Sequence, residues 1–220
     1  MKVIELNRSV TDSNDRDAAA LRKELKEKGI LLINLMSSPG SGKTTLLSRT
    51  IQDIGSELAV AVMEADIESA VDAERIEALG AKAIQVHTGG MCHMDAGMTC
   101  AGLQEMGVEA TDLIFLENVG NLICPAEYDT GAVKNVMILS VPEGDDKPLK
   151  YPLMFEKSDV LLITKKDTAP WFDFDFGACR RRAERLNPGI RIFEVSAKTG
   201  EGMHAWEEWL KEETAAWRNN

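Results

Sequence analysis

Residues 88–98, TGGMCHMDAGM, set Cys92 beside His93 directly after two glycines. A thiolate and an imidazole are ligands suited to zinc or nickel. Neighbouring residues on a helix or strand point in different directions, so this pair converges on one ion only where the chain is irregular. A third donor, Cys124, lies in NLICPAE (121–127). Three side chains are one short of a closed tetrahedral site, so a water, a partner or a second copy across a twofold axis would complete it. Simple burial is the competing explanation, and the spacing from Cys92 to Cys124 matches no zinc-finger signature. Cys100 and Cys179 are assigned to burial. Nothing beside His87 or His204 suggests ligation, and Met91, Met94 and Met98 suit core packing better than thioether ligation.

A second chemistry sits upstream. SSPGSGKTTLL (37–47) fits the phosphate-loop pattern G-x-x-x-x-G-K-[ST], with Ser37 at the first glycine position. Backbone N–H groups around Gly40, Ser41 and Gly42 would wrap phosphate oxygens, Lys43 would add a point charge, and Thr44 would ligate Mg²⁺ beside Thr45. Later in the chain comes TKKD (164–167), where guanine-binding proteins carry N-K-x-D. A carboxylate at Asp167 would accept two hydrogen bonds that guanine offers and adenine does not. Lys165 would lay its stem along the base, and Thr164 replaces the usual asparagine. SAKTGEG (196–202) supplies Ser196, Ala197 and Lys198 for a loop against the same base. In LIFLENVGN (113–121), Glu117 would hold Mg²⁺ through water and the Gly120 N–H would meet the γ-phosphate. Asp66, just past a strand, would face Mg²⁺ or the attacking water, although taken alone it is equally a helix cap. These motifs describe a Mg²⁺-dependent GTPase binding GTP and GDP.

Such loops need a scaffold. Almost continuous apolar runs at 30–36, 58–63, 81–86, 112–117, 133–140, 159–164 and 190–196 read as strands buried on both faces. Helical stretches at 43–54, 70–79, 175–187 and 202–217 lie between several of them, and another spans 15–28 and stops at Gly29. The expected fold is a three-layer α/β phosphate-loop NTPase with a mostly parallel sheet of about seven strands. One domain over 1–220 is expected, with 1–29 as a helical lead-in and the proline-bounded segment 142–152 as a loop inside it. The 44% hydrophobic and 28% charged fractions suit a globular chain of this length. No apolar run reaches the roughly 18 residues of a membrane span. The opening residues lack a secretory signal, so cytoplasm is the expected compartment. A net charge of −11 argues against nucleic acid as a partner.

Taken together, SSPGSGKTTLL, DAERIEALGAKAIQVHTGGMCHMDA, LIFLENVGNLICPAEYDTG, EGDDKPLKYPLMF and the TKKD and SAKTGEGM loops resemble the hydrogenase nickel-incorporation GTPase family (HypB). The resemblance runs from about residue 12 to 215. It implies membership of the dimerising SIMIBI-type GTPases, slow GTP hydrolysis, and Ni²⁺ or Zn²⁺ held by Cys92, His93 and Cys124. It also implies a homodimer promoted by nucleotide or metal, a small zinc-containing nickel metallochaperone as partner, and the large subunit of [NiFe]-hydrogenase as the destination of the nickel. Residues 1–80 contain neither Cys nor His, unlike family members that store nickel in a Cys-rich site or His-rich tail. The urease nickel-insertion GTPase is the nearest rival, but it uses a Cys-Pro-His motif absent here. A small-alcohol kinase leaves TKKD and the cysteines unexplained. A zinc-stabilised nucleotide-binding module without turnover would show no GTP hydrolysis.

Overall fold

Seven strands line up in the order β3-β2-β4-β1-β5-β6-β7. The structure, a computed structural model, describes residues 6–66 and 71–219. In chain order the regular elements are α1 (Leu6–Glu27), β1 (Leu31–Ser37), α2 (Lys43–Ile54), β2 (Val60–Asp66), α3 (Val71–Ala78), β3 (Lys82–His87), α4 (Ala96–Met106) and β4 (Leu113–Glu117). After β4 come β5 (Lys134–Ser140), α5 (Lys147–Lys150), α6 (Pro152–Glu156), β6 (Val160–Thr164), α7 (Phe176–Leu186), β7 (Arg191–Glu194) and α8 (Met203–Asn219). All the strand pairings are parallel.

β1 shows why this sequence must be sandwiched. Every residue of LLINLMS is buried, so neither face tolerates solvent and both require helices. Leu31, Ile33 and Leu35 join Leu46 and Leu47 of α2, Ile76 of α3 and Trp206 and Leu210 of α8. Leu32 joins Leu21 and Leu25 of α1 and Leu103 of α4 on the opposite face. Met36 extends that face into a third cluster with Phe155 of α6 and Ala183 of α7. Burying each such side chain contributes ~1.5–3 kcal/mol before chain entropy is set against it.

β1 has β4 on one side and β5 on the other. The chain fills one half of the sheet, returns through β4, and then builds the other half. That reversal leaves a crevice beyond the carboxyl ends of β1 and β4, where open parallel sheets bind ligands. The segments SSPGSGKTT and ENVG both emerge there.

The segment 142–152 is not a plain loop. It takes in most of a 3₁₀ turn at Val141–Glu143 and all of α5, and its last residue, Pro152, opens α6; each of the three has a proline in its first turn. Proline lacks only a donor that a helix start leaves idle, so these prolines begin helices rather than interrupting one. Among the described residues no helix is long and apolar enough to cross a membrane.

Candidate functional site

Ser37 ends β1, and the chain then turns through Gly40 (φ 74°) and Gly42 (φ 95°) into α2. These left-handed conformations are costly for residues with a Cβ, so the glycines set the path of the loop. The serine at the first motif position is fully buried and engaged. Its Oγ accepts from Lys43 Nζ and from Ser41 Oγ, both at 2.8 Å, and donates to the Ser38 carbonyl at 2.8 Å. A glycine would leave Lys43 without this contact. The crevice, about 560 Å³, is lined by the loop, Thr44, Thr45, Glu64, Glu117 and Gly120. Lys43 Nζ lies 3.9 Å from Glu117. A Cβ on Gly120 would lie 2.9 Å from Pro39 Cγ, so the turn after β4 touches the phosphate loop only because residue 120 has none.

Glu64 has no part in the sequence argument, yet it faces Glu117 in register across β2 and β4 and is 3% exposed. The sequence signal for it is the acidic pair in VMEAD, Glu64 and Asp66. The Asp66 backbone closes β2 opposite His87, and its side chain falls outside the described residues.

The base loop joins the phosphate loop directly. Thr164 Oγ1 donates to the Ser41 carbonyl at 2.7 Å, and Lys165 Nζ donates to the Gly40 carbonyl at 2.7 Å. Lys165 adopts φ 56°, and its stem crosses Gly42, where a Cβ would stand 3.5 Å from Lys165 Cε. The lysine ammonium therefore ties down the loop that its stem crosses. Asp167 accepts a 2.7 Å bond from Ser196 Oγ, which joins TKKD to SAKTGEG. Gly42, Thr45, Thr164, Asp167, Ala197 and Lys198 line a cavity of about 260 Å³ that shares Gly42 and Thr45 with the crevice.

The soft ligands also meet. Gly89 (φ 63°) and Gly90 (φ 89°) turn the chain after β3, and the Thr88 hydroxyl donates to the Met91 carbonyl at 2.8 Å. Cys92 is exposed and His93 is 4% exposed. Cys124 opens a 3₁₀ turn after β4, and its Sγ lies 2.8 Å from Cys92 Sγ. His93 Nδ1 is 3.8 Å from Cys92 Sγ, and its ring stacks on Tyr128 at 3.7 Å and 11°. Its Nε2 is buried without a hydrogen-bond partner among the described residues. Burial lowers the His93 pKa, favouring the neutral imidazole that binds metals. The Cys124 thiol is pushed up, first by the hydrogen bond it shares with Cys92 and then by burial. Two thiolates on one tetrahedral zinc sit about 3.8 Å apart, so these sulfurs must part before sharing an ion. Correspondingly, among the described residues no group of three or more His, Cys, Asp or Glu side chains is already arranged to hold a metal.

The other sulfur residues divide. Cys179 is fully buried, and burial pushes its thiol up to about 12. Cys100 is half-buried, packed against the cluster that holds Leu21, Leu25 and Leu103, and Gln104 Nε2 reaches its sulfur at 3.5 Å. Met94 is core, Met98 packs against the same cluster, and Met91 is exposed. His87 and His204 are exposed.

Residues 31–194 match the family described as CobW/HypB/UreG, nucleotide-binding domain. The hydrogenase maturation factor HypB of Rhizobium leguminosarum bv. viciae is 44% identical over 210 residues, which span 96% of this chain and 70% of that protein. The chain belongs to the HypB family. A HypB structure from Helicobacter pylori, solved in complex with nickel, matches with a TM-score of 0.87 at 38% identity, covering 93% of this chain and 96% of that one. The HypB structure from Archaeoglobus fulgidus also gives 0.87 at 38% identity, with 92% and 99% covered. HypB membership makes this a chain of the phosphate-loop GTPase type.

Proposed function

We propose that this chain is a Mg²⁺-dependent GTPase that takes up nickel at Cys92, His93 and Cys124 and releases it toward [NiFe]-hydrogenase as GTP is turned over. One observation carries the reading. The turn after β4 brings Gly120 against Pro39 of the phosphate loop and, four residues later, Cys124 against Cys92. A movement that answers to the γ-phosphate therefore acts on half of the metal site.

The Asp167–Ser196 bond at the 260 Å³ cavity supports guanine as the base. Thr44 and Glu117 bring hard oxygen donors to one crevice beside Lys43, a donor set that suits Mg²⁺. Bound there, the ion would neutralise charge developing on the phosphates, with Glu64 as a further carboxylate lining the crevice and Asp66 as the acid the sequence motif offers. The cargo is Ni²⁺, with Zn²⁺ as competitor. Partners are a second copy of the chain, a small zinc-containing nickel metallochaperone and the hydrogenase large subunit, all in the cytoplasm.

The test is Ni²⁺ and Zn²⁺ binding with GDP and with a non-hydrolysable GTP analogue, for the wild type and Cys124→Ala. Affinity that depends on nucleotide in the wild type and collapses in the variant is expected. Equal affinity in both nucleotide states, surviving the substitution, would leave a GTPase whose cysteines are packing.

A further inference from the structure

Between the γ-phosphate turn and the metal loop runs one buried polar connection. Asn118 follows Glu117 directly, is 1% exposed, and uses its carboxamide at both ends. Oδ1 accepts from the Val119 backbone N–H at 2.9 Å and from the Met94 backbone N–H at 3.1 Å. Nδ2 donates to Asn34 Oδ1 at 3.0 Å, and Asn34 Nδ2 donates to Asn135 Oδ1 at 2.9 Å. Three asparagines thus form a ladder from β5 across β1 to the segment after β4, ending on the peptide that joins His93 to Met94.

We infer that Asn118 is the positioning residue that couples nucleotide state to metal affinity. The inference rests on the switch reading above and names the part that transmits it. The bond from Oδ1 to the next N–H makes the side chain turn with its own backbone. Gly120 is two residues on, so a γ-phosphate that draws in this turn displaces the Asn118 amide. The displaced amide either carries the Met94 N–H with it or breaks that bond. Met94 is fully buried, so the peptide does not simply drift to water. In either case the His93 backbone shifts while Asn34, on the central strand, stays fixed. Such a ladder gives the discrete alternatives that coupling requires. Among the described residues the two loops also touch through the Cys92–Cys124 pair itself, the stack of the His93 ring on Tyr128, and a 3.5 Å bond from Asn121 Nδ2 to the Cys92 carbonyl that is too long to hold register.

The experiment reads Ni²⁺ affinity with GDP and with the GTP analogue for the wild type, Asn118→Leu and Asn34→Val. In the wild type the two states should differ by at least about fivefold. In the variants that ratio should fall to within about twofold of one, with Ni²⁺ still bound. A role confined to stability would weaken both states together and leave the ratio alone. A folded variant that keeps the wild-type ratio overturns the inference while sparing the switch. A wild type without a ratio overturns both. Should neither variant fold, the wild-type Met94 amide resonance, seen with ¹⁵N-methionine, decides: a shift between nucleotide states supports the coupling, and none refutes it.

Discussion

At the scale of single residues, the departures from familiar motifs prove to be engaged side chains. Ser37 stands where a glycine is usual and holds Lys43 and Ser41; Thr164 stands where asparagine is usual and bonds the Ser41 carbonyl. Both substitutions therefore stiffen the phosphate loop from beneath. Asp167 is different, since the task proposed for it concerns the base. Asp167→Asn would present an amide donor to guanine's own donors, and GTP affinity should fall roughly 100-fold. Xanthine carries an acceptor in place of the guanine 2-amino group, so XTP should bind the variant better than GTP does. Competition binding with the two nucleotides checks this, and unchanged GTP affinity would remove Asp167 from base recognition.

Among elements, the decisive contact is that of the turn after β4 with the phosphate loop. A Cβ at position 120 would stand 2.9 Å from Pro39 Cγ and 3.1 Å from Pro39 N, and the backbone atom has little room to retreat. Gly120→Ala should push the two segments apart at a cost of ~1–3 kcal/mol, felt most where the turn must close. Affinity for the GTP analogue should drop roughly tenfold while GDP affinity moves far less, and Ni²⁺ affinity should lose its dependence on nucleotide. Equal losses for both nucleotides would mean that the turn does not sense the γ-phosphate. The inner strands were legible in the sequence because burial on both faces writes them as unbroken apolar runs, whereas the edge strands β3 and β7, expected to be buried likewise, are only partly covered because each has a neighbour on one side alone. The segment 142–152 was misjudged because prolines mark helix starts as well as loops. Local motifs likewise marked the segments 37–47, 164–167 and 196–202, which the fold brings together. The asparagine ladder was invisible, since it joins residues 84 and 24 positions apart through single polar side chains with no pattern of their own. Tyr128 on His93 and Glu64 beside Glu117 escaped for the same reason.

The whole molecule responds to pH through a carboxyl group far from the metal loops. Glu207 of α8 is 8% exposed, and burial raises its pKa to about 7, helped by a hydrogen bond and like charge from Asp53 of α2 and opposed by Arg49 and Lys211. Neighbouring Trp206 anchors the same helix pair through a 3.1 Å bond to Thr50. Above about 7 the folded protein must hold a buried carboxylate beside Asp53, whereas the unfolded chain ionises it near 4.5 at no such cost. Between those values the folded state binds the extra proton, so this group makes stability fall as pH rises. Glu207→Gln keeps the shape and removes the titration. Its melting temperature relative to the wild type should rise from pH 4.5 to pH 8, because carboxyl groups away from this junction titrate alike in both proteins and cancel in the difference. Thermal unfolding at steps across that range reads the difference directly. A difference that stays flat would mean that Glu207 is ionised in the fold throughout and compensated by Arg49 and Lys211, and the junction of α2 and α8 would then not sense pH.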